Sequence, residues 1–325
     1  MAHQSYDELE WHLHRLRSAY AGGKLIFVLG AGINRDFGFP DWSQLLVKLV
    51  RRCGRLQHPA HATITTNDVQ KVMEAVIADP LLQAAAIRGA HVNAGDWIAA
   101  LRDALNIRPR GLNDKTKSLG RIAKSVAEQY EADPRRHVAI LTFNFDDLVE
   151  RALAMELGKE KARVVVTSVA TGKELASASH RPGIYVYHLH GSLANLESIV
   201  LDAMSYVRIL AAPANHWSWS CMNTFLFQEH SGVMFVGLSL LDPSLRLLLT
   251  HAATNGMPLS AIFVGKPLEP PILPDDIGKS LNLAFMMRDV QALFDDLLEE
   301  LSLIPYHVTA WSEIGELLDK VMEDA

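Results

Sequence analysis

Lys24-Leu25-Ile26-Phe27-Val28-Leu29-Gly30-Ala31-Gly32 is the stretch that decides the fold. A short apolar run stops at two glycines, and Leu45, Leu46, Leu49 and Val50 then follow at helical spacing between Trp42 and Val50. That order reads as strand, glycine turn, helix. The same punctuation recurs at Thr142-Phe143-Asn144-Phe145-Asp146, His188-Leu189-His190-Gly191 and Gly237-Leu238-Ser239, each closing an apolar run. Strands that alternate with helices predict an α/β fold, a doubly wound, mostly parallel Rossmann-like sheet with a helical insertion and C-terminal helices. In such a sheet ligands sit beyond the carboxyl ends of the strands, so four polar strand endings in one chain point to a nucleotide site.

Working outward, strands are expected at Lys24 to Leu29, His137 to Phe145, Arg163 to Val169, Gly183 to Leu189, Ser198 to Leu201, Gly232 to Leu240 and Ala261 to Val264, with a further candidate at Leu283 to Met287. Gly232 to Leu240 is nearly continuous in apolar residues, as a strand covered on both faces should be. Helices are expected at Asp147 to Leu157, Ala203 to Ala212, His216 to Gln228 and Pro243 to Thr254. We read residues 1–325 as one domain. Residues 53–136 form a helical insertion, with Val69, Val72, Met73, Val76 and Ile77 on one apolar face and Ile98, Leu101 and Leu105 on another. Residues 290–325 form a helical tail, in which Val290 to Leu303 and Trp311 to Met322 are amphipathic helices separated by Pro305. Pro267 to Pro274 is a proline-rich loop.

With 325 residues, 49% of them hydrophobic, the chain can bury a large core without staples. Its two cysteines, Cys53 and Cys221, are too few for a disulfide framework or a four-thiolate zinc site, which suits the cytoplasm. Asp7, Glu8 and Glu10 break the amphipathic start and argue against a secretory signal. Asp242, Pro243 and Arg246 interrupt the greasiest region, Gly232 to Leu249, so no membrane span is expected. A net charge of -6 gives no field to attract nucleic acid, and Arg51-Arg52 and Arg135-Arg136 read as solvated surface.

Four groups of residues carry candidate chemistry. Gly30 and Gly32, between strand and helix, let backbone amides approach a diphosphate at a helix N-terminus, although a full dinucleotide fingerprint is absent. Asn144 ends a buried run, where its amide can bond a ribose hydroxyl or fix a water; the bland alternative is capping of the next helix. His188 and His190 are two apart on a predicted strand and so should point the same way, His190 suited to proton transfer and His188 to a buried supporting role. A zinc pair is the competing idea, but further ligands are lacking. Gly237 and Ser239 leave room for a nucleotide and offer a hydroxyl, while Asp242-Pro243 reads as an ordinary cap followed by proline at the first helical position.

Gly30-Ala31-Gly32 with Gly38-Phe39-Pro40-Asp41-Trp42, then Thr142-x-Asn144-x-Asp146, His190-Gly191-Ser192 and Gly237-x-Ser239, resembles the sirtuin superfamily over about residues 24 to 265. The resemblance implies that Gly30, Ala31 and Gly32 cradle the diphosphate of NAD, that Asn144 and Asp146 lie near the nicotinamide ribose, that His190 is the catalytic histidine, and that Gly237 and Ser239 contact the adenosine half. Asn34 stands where the family has serine, and joins the expected NAD contacts. Trp42-Ser43 replaces the Phe-Arg of the protein deacylases, and their four zinc-binding cysteines are absent, so no metal is expected.

What remains resembles the zinc-free, sirtuin-like NAD hydrolases of bacterial antiphage defence. The implied activity is NAD glycohydrolysis with NAD as substrate, Asn144 and His190 being the catalytic pair, in an abortive response that depletes the host's NAD. Such an enzyme must be gated, so the resemblance also implies a homo-oligomer or a separate sensor: an ATPase, an argonaute-type protein or a nucleotide-sensing enzyme. Two alternatives stay open, a protein deacylase or ADP-ribosyltransferase, and a nucleotide sensor that binds without turnover.

Overall fold

The computed structural model describes residues 6–40, 42–53, 65–77, 79–91, 93–178, 181–211, 216–227, 231–238, 242–255, 261–266, 291–292, 295–299, 301, 303–310 and 313–322. Helix α1 (Tyr6–Ala21) precedes strand β1 (Leu25–Leu29), a 3-10 segment (Ala31–Phe37) and α2 (Trp42–Arg52). Four helices follow, α3 (Thr66–Val76), α4 (Pro80–Ala90), α5 (Ala94–Leu105) and α6 (Ser118–Ala132), before β2 (His137–Thr142). Next come α7 (Leu148–Leu157), α8 (Lys159–Val165), β3 (Val166–Val169), α9 (Gly172–Ala178) and β4 (Gly183–His188). The remaining elements are α10 (Ala203–Leu210), α11 (Trp217–Leu226), β5 (Gly232–Val236), α12 (Pro243–Thr254), β6 (Ala261–Gly265), β7 (Leu303–His307) and α13 (Ile314–Met322).

The strands form one sheet in the order β3-β4-β2-β1-β5-β6-β7, and every pairing is parallel. Every residue of β1, β4 and β5 is buried, which is why β1 and β5 carry no polar side chain. Alternation then divides them between two layers. Leu25, Phe27 and Leu29 face a core shared with α1, α6, α7 and α13, whereas Ile26 and Val28 face one shared with α11 and α12. Each of these fully buried side chains contributes about 1.5–3 kcal/mol of transfer free energy. A third cluster joins Leu45, Leu46 and Leu49 of α2 to Ile87, Trp97 and Leu101 of α4 and α5, and takes in Phe145 and Leu201. Helix α6 packs on the sheet instead.

Strand β1 adjoins β2 on one side and β5 on the other, so the chain reverses its direction of growth there. The doubly wound Rossmann-like α/β fold therefore has its switch-point crevice beyond Leu29 and Val236.

Three expected segments differ. Arg163–Val165 complete α8 rather than opening a strand, because the helix-favouring Lys159-Glu160-Lys161-Ala162 run carries through them. Ser198–Leu201 is not a strand: Leu196–Ser198 is a 3-10 turn, and Val200 N–H returns to His190 O at 2.8 Å. In the tail, Leu303–His307 is the seventh strand rather than a break between helices. Pro305 is tolerated because, among the described residues, β7 pairs only with β6, leaving one side of the strand without a ladder to donate to. The candidate strand Leu283 to Met287, the loop Pro267 to Pro274 and Ser239 lie outside the described residues.

Candidate active site

Two glycine loops interlock at the switch point. A Cβ on Gly30 would lie 2.5 Å from Gly237 O and 2.7 Å from Leu238 Cα. One on Gly237, whose φ is +67°, would lie 2.6 Å from Ile33 N. Both glycines are thus required by close backbone approach. Gly30 N–H donates to Val236 O and Gly32 N–H to Gly237 O, each at 2.9 Å. Of the expected diphosphate cradle, the exposed Ala31 amide at the start of the 3-10 segment is the one not taken by those carbonyls.

Asn144, Asp146 and Asn34 gather beside this junction. Asn144 Nδ2 donates to Gly30 O at 3.1 Å, which directs its Oδ1 away from that bond. Asn34 Nδ2 donates to Asp146 Oδ2 at 2.6 Å, while the other Asp146 oxygen accepts Leu148 N–H at 3.1 Å. The N-cap of α7 is Asp147, which makes no side-chain cap bond, and Asp146 rather than Asn144 accepts a first-turn amide. Burial pushes the Asp146 carboxyl up to about 6, against the opposing Leu148 amide and His188 charge. Asn34 Oδ1 is buried and has no hydrogen-bond partner. An open buried acceptor costs about 1–3 kcal/mol, and a ligand hydroxyl at that point removes the cost.

His188 and His190 do not share a direction. Strand β4 stops at His188, and Gly191, with φ +87° and its Cα packed so that a Cβ would meet Ser198 O at 2.3 Å, turns the chain. His188 Nδ1 lies 2.9 Å from Asn144 O and Nε2 lies 2.8 Å from Glu150 Oε1, which also accepts the Ser168 hydroxyl. Burial alone would lower the His188 pKa, but the Glu150 bond and charge, with Asn144 and Asp146, raise it above the ordinary value. Both His188 nitrogens thus face acceptors, which favours its protonated form and ties the ring to the Asn144 backbone.

His190 turns to the other layer. Its ring meets Phe143 edge-on at 4.7 Å and Tyr206 at 5.1 Å. Nε2 is 3.3 Å from Ser244 Oγ and 3.4 Å from Asp242 Oδ2, and Nδ1 is 3.3 Å from Tyr206 Oη. Burial holds His190 below its ordinary pKa, with the Asp242 charge only partly compensating. Burial would raise Asp242 too, but His190, the Ser244 and Tyr206 hydroxyls and the Leu245 amide keep it below the carboxylate range. Asp242 has both roles at once: Oδ1 caps α12 through Ser244 and Leu245 N–H, and Oδ2 accepts Tyr206 O–H at 2.6 Å. Both hydroxyl protons go to Asp242, because Ser244 O–H also donates to it at 2.6 Å. Each hydroxyl oxygen then presents a lone pair to the ring, so a neutral base is surrounded by acceptors for the imidazolium it becomes.

The sequence reading missed Tyr206, Ser244 and Glu150, and saw in Asp242 only a cap. Among the described residues no group of three or more His, Cys, Asp or Glu could hold a metal ion, and no helix is long and apolar enough to cross a membrane.

Residues 120–270 match the model of the SIR2-like domain. That match contains Asn144, Asp146, His190 and Gly237, supports the sirtuin-like resemblance and indicates a NAD-related function. It begins after the Gly30 to Asn34 loop, which the sheet brings to the matched residues. No curated protein matches the chain.

Proposed function

We propose that the chain is a NAD glycohydrolase that breaks the nicotinamide–ribose bond. The observation that carries this reading is the placement, beyond the carboxyl ends of neighbouring strands, of the Asn34–Asp146 pair and the Asn144 amide on Gly30 together with a buried histidine held below its ordinary pKa. NAD is the substrate. Ala31 N–H and the surface of the glycine loops would meet its diphosphate, Gly237 and Ser239 its adenosine half, and Asn34 Oδ1 a ribose hydroxyl. Asn144 would orient the ribose or the attacking water, with Asp146 near the nicotinamide end. As the C–N bond breaks and nicotinamide leaves with the bonding pair, water adds to the ribose carbon and its proton passes to His190. Water for NAD yields ADP-ribose, nicotinamide and one proton, so no other reactant is required.

His190 is only 4% exposed, so the enclosed site fits an enzyme that is opened by assembly or by a separate sensor protein in the cytoplasm. Depletion of NAD during phage infection is the role this gating would serve. Nicotinamide release by purified protein, alone and with neighbouring gene products, tests the activity. His190→Ala and Asn144→Ala should each lower release by about 10²–10⁴-fold while staying folded. Full release by either folded variant overturns the assignment.

A further inference from the structure

A cavity of about 730 Å³ lies at the opposite end of the sheet, between the amino ends of β1 and β2 and helices α9 and α11. Its size is within the range of small-molecule pockets, roughly 300–1,000 Å³. It is remote in the fold from the crevice described above, since Leu25 and His137 open the strands that Leu29 and Thr142 close.

The lining is cationic at one side and aromatic at another. Lys24 and Arg136 are among the lining residues, and among the described residues no aspartate or glutamate is. Arg136 Nε is 3.5 Å from Asp133, but its Nη1 is buried without a hydrogen-bond partner. Gly23, at φ +66°, makes room for that group: a Cβ there would lie 2.0 Å from Nη1. A buried guanidinium N–H left open is costly, and an anionic oxygen is its strongest partner. The aromatic side is ordered. His137 stacks on Tyr185 at 4.1 Å with 4° between planes, its Nε2 is 2.7 Å from Tyr187 Oη, and Phe225 lies 5.6 Å from its centroid. Burial holds His137 below its ordinary pKa, which leaves it neutral. On the rim, exposed Ser220 and Thr224 of α11 add hydroxyls.

We propose that this cavity is a second small-molecule site, for a planar aromatic anion whose ring lies on the His137, Tyr187 and Phe225 wall and whose charged group meets Arg136. The chemistry is shared by nucleoside monophosphates and aromatic carboxylates. Titration calorimetry of the full chain with AMP, and separately with salicylate, distinguishes them.

At least one probe should bind one-to-one with a Kd below about 1 mM, equivalent to about 4 kcal/mol. Saturating NAD should not displace it. Arg136→Gln should weaken binding at least about tenfold, a loss of one charge-assisted bond. Thr224→Trp, which fills the cavity from an exposed helical position, should abolish it and serves as the second variant if Arg136→Gln fails to fold. Binding of neither probe, displacement by NAD, or binding unchanged by Thr224→Trp overturns the proposal. None of these outcomes depends on nicotinamide release, so the site stands or falls apart from the proposed reaction.

Discussion

His188 and His190 are separated by one residue and both are buried, yet their surroundings shift their pKa values in opposite directions. His188 donates to a carbonyl and a carboxylate, and the Glu150 charge outweighs burial. His190 has its carboxylate farther off, Asp242 Oδ2 lying 3.4 Å from Nε2 against 2.8 Å for Glu150 at His188, and Asp242 is also committed to two hydroxyls and two amides, so burial prevails. A carboxylate in direct hydrogen-bond contact thus outweighs burial, whereas one at 3.4 Å that is already held by other donors does not. The first arrangement suits a fixed positioning group, the second a base.

Breaking the His188 side should have the largest effect. Glu150→Ala removes the partner of a buried cation and should cost about 3 kcal/mol in denaturant unfolding. His188, with its folded pKa raised above 6.5, contributes stability that is complete below that value and is lost as pH rises through the folded one. Glu150, with its folded pKa below 4.5, contributes stability that is present above 4.5 and lost on further acidification. The pair's contribution thus peaks between those limits, and Glu150→Ala should erase that peak. A loss under about 0.5 kcal/mol, the scale of an ordinary surface change, would mean that the pair does not hold His188.

Asp146 has no full positive charge bonded to it, and burial raises it to about 6 from 3.8. Its folded form favours the proton, so this contribution is complete below about 3.8 and lost as pH climbs through about 6. Asp146→Asn should remove that pH dependence and leave the protein more stable than wild type at pH 7.5, by up to about 3 kcal/mol. A flip of the Asn34 amide, whose Oδ1 has no partner, accommodates the new NH₂ group. Unchanged pH dependence of the melting temperature between pH 4 and 7 would show that the carboxyl is ionised throughout.

How far the sequence could be read follows from where each signal resides. Strands β1 and β5 were legible because burial on both faces forces an unbroken apolar run, and the glycines after them because close backbone approach admits nothing larger. Strand β7 was not, since Pro305 reads as a break and only the sheet order reveals an edge that tolerates it. The two histidines were misdirected because alternation holds only while the strand lasts, and β4 ends at His188. Asp242 was half legible: a cap is a local pattern, whereas the second oxygen's partner, Tyr206, comes from α10 across 36 positions. Glu150 was hidden likewise, one carboxylate among several on a helix whose inward turn depends on β4.

Tyr206→Phe tests the His190 side with the smallest expected change in structure. The ring that packs on His190 is retained and one oxygen is lost, together with its 2.6 Å bond to Asp242 and its 3.3 Å approach to His190 Nδ1. A hydrogen bond to a charged group is worth about 1.5–3 kcal/mol, so stability should fall by that order. If the oxygen also accepts the Nδ1 proton of the imidazolium formed in the reaction, the loss belongs to the transition state as well. The turnover rate for nicotinamide release should then drop roughly 10- to 100-fold with KM for NAD unchanged. Equal stability loss with full turnover would leave Tyr206 as a brace for Asp242 alone, and the acceptor shell around His190 would reduce to Ser244 and the carboxylate behind it.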